Sequence, residues 1–188
     1  MKWLNFYFLL FICLSCNNIS YHQMATEDPK GLLLLEDSLK SEKLNKKTIK
    51  ALITAHNTIG LSELNNNNFE KAKNHFSNAL IYSPNDTLTR YNLLIVQGHL
   101  LKKSGKKEKL WNAIQAYHKA AQLKPYNGDP YFFIAESYKK IGDKEFDLIL
   151  ESYKKALELD LSPQIKKMIT TEYALILDRE KKLKEFWK

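Results

Sequence analysis

The stretch YHKAAQLKP, Tyr117–Pro125, reads as the end of an amphipathic helix running into a proline, and the chain nearly repeats it twice. FSNALIYSP begins at Phe76 and YKKALELDL at Tyr153, so an aromatic, two polar residues and an alanine recur at steps of 41 and 36 residues. One turn before each aromatic stands a small or medium apolar residue, Ala72, Ala113 and Ile149; three residues after it come Ala79, Ala120 and Ala156. Spacings of three and four put these residues on one face of a helix. A second helix precedes each copy: HNTIGLSE (His56–Glu63), LIVQGHLL (Leu94–Leu101) and YFFIAESY (Tyr131–Tyr138). Gly60, Gly98 and Ala135 hold the same place in the three, where a small residue lets a paired helix approach closely.

Tyr131-x2-Ile134-Ala135-x2-Tyr138 matches the first half of the pattern W-x2-L-G-x2-Y, and Ala72-x3-Phe76 with Ala79 and Pro84 matches the second. Over roughly residues 53–161 the chain therefore resembles the tetratricopeptide repeat, a helix-turn-helix unit. His56 and Leu94 stand where that pattern has its first aromatic, Glu63 where it has Tyr, Gln97 where it has Leu, and Leu161 where it has the last proline. The resemblance implies an all-α fold: a right-handed helical solenoid of antiparallel helix pairs, with about three units at about 53–86, 87–127 and 128–161. The second unit carries about seven extra residues, assigned to a longer first helix and to the basic turn KKSGKKEK, Lys102–Lys109.

From the N-terminal side, Leu32, Leu35 and Leu39 predict a helix over 31–44, Ile49, Leu52, Ile53, Ile59 and Leu64 one over 48–64, and 69–82 a third. Ser162-Pro163 opens a capping helix, 162–188, with Ile165, Ile169, Tyr173 and Ile176 on one face; a solenoid needs its terminal unit covered. Phe186 and Trp187 are expected to pack on this cap, with a partner-binding tail as the other reading. Nothing alternates with period two, so no sheet is expected.

MKWLNFYFLLFICLSC, residues 1–16, pairs one lysine with an apolar run too short for a permanent membrane span and of export-signal length. Ser15-Cys16 resembles the lipobox of bacterial lipoproteins, which implies a signal peptide at 1–15 and lipid (palmitate) on Cys16; ordinary secretion or an uncleaved anchor are the alternatives. Cys13 and Cys16 fit a C-x-x-C spacing, but within an apolar signal run that is coincidence, and after cleavage a blocked Cys16 leaves no disulfide. Residues 16–30 are polar and without periodicity and read as a flexible tether to the folded part, 31–188. Asn17 is not aspartate, which in the lipoprotein sorting rule favours the outer membrane, facing the periplasm.

With 44% hydrophobic and 27% charged residues the chain is of globular type, and its formal charge of +8 is dispersed except at Lys102–Lys109. That cluster is either a solvated turn or a contact for anionic lipid or another polyanion. The five histidines, His22, His56, His75, His99 and His118, lie in no H-x-x-H or H-E-x-x-H, and no Gly-rich phosphate loop, G-x-S-x-G or paired-carboxylate arrangement occurs. No catalytic site, metal or cofactor is expected, nor a nucleic-acid or small-molecule partner.

What the resemblance implies is binding of a protein or peptide in a groove lined by the first helices of the units. One turn around from the small-residue position lie Asn57 and Leu61, then Asn92, Ile95, His99 and Lys102, then Phe132, Glu136 and Lys139. Asparagines suit a peptide backbone, the apolar residues suit side chains, and the lysines suit a carboxylate; the alternative is a solvated face that binds nothing. Leu61 interrupts the two-carboxylate clamp of the chaperone-binding members, so that activity is not carried over. The expectation is a non-enzymatic, membrane-tethered adaptor of the bacterial cell envelope. Its alternatives are a subunit of the machinery that assembles outer-membrane proteins, one of whose lipoproteins is built from such repeats, or a binder of anionic cell-wall polymer or lipid.

Overall fold

The computed structural model describes residues 20–42, 44–142 and 145–186. The expected signal peptide and Cys16, like Trp187, lie outside the described residues. Among the described residues the chain is all-α, with ten helices and no strand. They are α1 (Tyr21–Glu27), α2 (Pro29–Leu34), α3 (Glu36–Ser41), α4 (Lys46–Asn65), α5 (Phe69–Tyr82), α6 (Thr87–Lys103), α7 (Lys107–Leu123), α8 (Asp129–Ile141), α9 (Phe146–Leu157) and α10 (Pro163–Phe186).

The chain divides into two compact units, residues 1–55 and 56–188. In the first, α1 lies where a flexible tether is expected. Its start is fixed by Ser20, whose hydroxyl accepts the Gln23 N–H at 3.3 Å, and Asp28 then caps α2 by accepting the Gly31 N–H at 2.9 Å, with Pro29 at the first helical position. The helix expected over 31–44 is two short ones, α2 and α3, broken at Leu35.

The second unit is a helical solenoid in which adjacent helices pack on each other: α5 on α6, α6 on α7, α7 on α8, α8 on α9 and α9 on α10. Its core is the repeated face read from the sequence. Ala72, Phe76, Ala79, Ala113, Tyr117, Ala120, Tyr153 and Ala156 have no exposed surface, and Ile149 almost none. The small-residue position explains itself in space, because a β-carbon on Gly60 would stand 2.6 Å from the Phe76 ring and one on Gly98 2.3 Å from the Tyr117 ring. The extra residues of the middle unit lengthen both of its helices, to 17 residues each, and leave a turn of only Ser104–Lys106 between them.

The turns that lead from one unit to the next are tied down. Asp86 caps α6 by accepting the Thr89 N–H at 2.8 Å. Gly128 donates its N–H to the Asp160 carbonyl at 2.7 Å and the Asp160 N–H donates to Tyr126 at 2.9 Å, so the α7–α8 turn runs beside the α9–α10 turn as an isolated parallel bridge. A β-carbon on Gly128 would lie 2.5 Å from the carbonyl oxygen of Ala156, and only glycine permits this approach. α10, 24 residues long, covers the end of the last pair through buried Ile169 and Ile176. Phe186, at the end of α10, is 79% exposed.

Candidate functional site

The nine residues expected to line a groove do not form one open face. Asn57, Asn92, Ile95 and Phe132 are buried. Asn57 joins α4 to α6: its amide donates to the Thr89 hydroxyl at 2.8 Å, and that hydroxyl lies 2.6 Å from the Asp86 carboxylate, to which it can donate. Ile95 and Phe132 belong to the apolar core. The Asn92 amide nitrogen has no protein acceptor in reach among the described residues. The physical reason for the correction is that helices in adjacent units meet along this face, and a residue one turn from the closest approach is still between them.

Leu61, His99, Lys102, Glu136 and Lys139 retain access to solvent. His99 is the most enclosed, with its ring centroid 4.6 Å from Phe133, 5.0 Å from Phe69 and 5.6 Å from Tyr117, and its Nδ1 2.7 Å from the Tyr117 hydroxyl. Burial, aided by the Lys102 charge, holds its pKa down at about 3, so the ring is neutral. Lys102 sits with its ammonium 5.6 Å from the centre of the Phe133 ring; burial lowers its pKa, Glu136 opposes that, and Lys140 and Lys139 add to it.

Glu136 and Lys139 are joined to the cap. Lys139 donates to Glu136 at 3.1 Å and to Glu172 of α10 at 2.5 Å, and Tyr153 donates its hydroxyl to Glu136 at 2.5 Å. Desolvation and the bond to Glu136 raise the Tyr153 pKa, keeping the phenol a donor. The network bonds α8, α9 and α10 to one another, so two of the expected carboxylate- and peptide-binding groups already hold partners of their own.

Histidine chemistry is also structural in character. His56 and His75, nineteen positions apart, bring their Nδ1 atoms to 3.2 Å, a distance at which one ring donates and the other accepts. This pair is absent from any sequence motif, because it depends on the register of α4 against α5. His118 borders an open cleft of about 440 Å³ with Tyr131, Tyr138, Glu151, Ser152 and Lys155. Burial lowers its pKa. Among the described residues no group of three or more His, Cys, Asp or Glu side chains could hold a metal ion, and no helix is long and apolar enough to cross a membrane.

No protein-family model matches the chain. Over 90 residues, 48% of its length, it is 36% identical to Superkiller protein 3 of Schizosaccharomyces pombe, a tetratricopeptide-repeat-containing protein, and it spans 6% of the length of that relative. The all-helical architecture, the aromatic-on-glycine packing at Gly60 and Gly98, and this similarity are together compatible with a tetratricopeptide-repeat array, a kind of fold that is typically non-catalytic.

Proposed function

We propose that the chain is a non-enzymatic adaptor of the bacterial cell envelope, held to a membrane by lipid on Cys16 and presenting its helix pairs to a protein partner. The observation that carries this reading is the pairing itself: Phe76 packs over Gly60 and Tyr117 over Gly98, the same aromatic-on-glycine contact in two successive hairpins. The partner meets the accessible part of the first-helix face, at Leu61, His99 and Lys102, with Asn57, Asn92, Ile95 and Phe132 setting the helix spacing beneath it. Glu136 and Lys139 mark the end of that face, where the cap lies. The apolar run and Ser15-Cys16 support export and lipidation, and Asn17 supports the outer membrane, facing the periplasm.

The test is a cross-linked pull-down of the tagged full chain from detergent-solubilised membranes, beside Leu61→Glu/Lys102→Glu. Lys139 is left intact because it holds Glu172. One stoichiometric envelope protein, recovered with the parent and lost with the variant, is expected. Equal recovery by both would remove this face from the interaction, and recovery of nothing specific by either would end the adaptor reading. Cys16→Ala is expected to release the chain from membranes, and sedimentation with them after a carbonate wash would rule out the lipid anchor.

A further inference from the structure

The turn between α6 and α7 carries charges that the fold itself does not ask for. Lys102 and Lys103 close α6, where cations favour the negative end of the helix dipole. Lys106, Lys107 and Lys109 then open α7, where the dipole is positive, and Lys106 occupies the N-cap position without a side-chain cap bond. Three lysines at that end cost stability, and the single Glu108 among them does not balance the group. Lys103, Lys106, Lys107 and Lys109 are exposed, and none has a carboxylate within ion-pair distance among the described residues.

Neighbouring features extend the patch. Gly105 at φ +68 turns the chain sharply, and nothing stands within 4 Å of where its β-carbon would be, so the turn projects freely. Lys139 and Lys140, at the end of α8, lie close enough to Lys102 to act on it electrostatically. Trp111, one turn into α7, is 38% exposed, its ring meeting Tyr138 edge-on at 5.7 Å. The turns between units, by contrast, bear Asp86 and Asp160, and Lys124 in the middle one is followed by Asp129 at the start of α8. Positive charge is thus gathered where helices α6 and α8 end, and an amphipathic indole stands beside it.

We infer that this edge, the Lys103–Lys109 turn with Trp111, docks on the surface of a bilayer rich in anionic phospholipid. Lysines on a projecting turn meet the head groups, and Trp111 sits at their depth, as indoles do at membrane interfaces. The inference goes beyond the adaptor reading and does not depend on it, since the docking edge it names, Lys103–Lys109 with Trp111, contains none of Leu61, His99 or Lys102. The partner expected is a membrane, not an acidic protein.

Because the chain has three tryptophans, Trp3, Trp111 and Trp187, the full chain with Trp3→Phe and Trp187→Phe reports on Trp111 alone. Its fluorescence is measured with phosphatidylcholine vesicles bearing brominated acyl chains, with and without about 30% phosphatidylglycerol. A lipid or apolar N-terminus would partition into both, so the contrast belongs to the edge. Quenching only with phosphatidylglycerol is expected, weakened by salt and reduced about tenfold or more in Lys103→Glu/Lys106→Glu/Lys107→Glu/Lys109→Glu. Should circular dichroism show that the fourfold variant has not folded, Lys106→Gln/Lys107→Gln replaces it, with a lower salt midpoint for release expected. Equal quenching on neutral vesicles, quenching that survives the substitutions, or vesicle binding with no quenching of Trp111 would each overturn the inference.

Discussion

The Tyr117 ring occupies the space that a side chain on Gly98 would need, its Cε1 atom 2.3 Å from the position of the missing β-carbon. Both residues lie in the interior of the middle hairpin, and the contact sets how closely α6 and α7 approach. In an unconstrained helix, replacing glycine by alanine gains about 1 kcal/mol. Here the overlap reverses the sign. Gly98→Ala is expected to destabilise the chain by about 1–3 kcal/mol, read as a lowered urea midpoint, and an unchanged or raised midpoint would mean that the helices have slack to separate.

Thr89 links the cap of α6 to α4 through Asp86 and Asn57. It is fully buried, so Thr89→Val keeps the shape while leaving the Asn57 amide without its acceptor. A loss of about 1–3 kcal/mol is expected from an unmet buried donor. Asn57→Ala in the same background should then cost little more, and additive losses in this cycle would show that the two side chains act independently.

Gly128 faces a backbone oxygen rather than a flexible side chain, and backbone has little room to yield. Gly128→Ala is therefore expected to break the bond to Asp160 and to cost about 2 kcal/mol or more. Amide exchange at Gly128 and Asp160 in the variant checks it, with faster exchange at both expected.

His99 gives stability a defined pH dependence. Its folded pKa, about 3, lies below the ordinary histidine value, so the unfolded chain takes up a proton first as the solution is acidified. This contribution is complete above about pH 6.5 and declines towards pH 3, at up to about 1.4 kcal/mol per pH unit. Urea titrations at pH 7 and pH 5 should show a smaller difference for His99→Phe than for the parent. Identical differences would place the ring in water.

The hairpins were readable because their signal is local. Ala72, Phe76 and Ala79, or Ala113, Tyr117 and Ala120, face inward through spacing alone, and α5 has the bounds that its apolar pattern and Ser83-Pro84 suggest. The binding face was less legible. Periodicity gives the direction of Asn57 or Phe132 around its helix, but depth depends on how the next helix lies across it. The bonds from Glu136 and Lys139 to Tyr153 and Glu172 require α9 and α10 to be in place, at separations of 17 and 33 residues that no window on the sequence spans. The His56–His75 pair is hidden for the same reason. At residues 21–27 the composition is polar and the helix follows from its caps, a signal carried by Ser20 and Asp28 alone.

The bridge between Asn127 and Asp160 gives the last hairpin an unusual economy. Its entry and exit segments run side by side and in the same direction, so the stretch from 128 to 160 begins and ends at nearly one point in space. Such a segment can be duplicated in frame or excised without asking the flanking helices to span a gap. The geometry that clasps the third hairpin is also one by which a chain of this kind can lengthen or shorten a whole unit at a time.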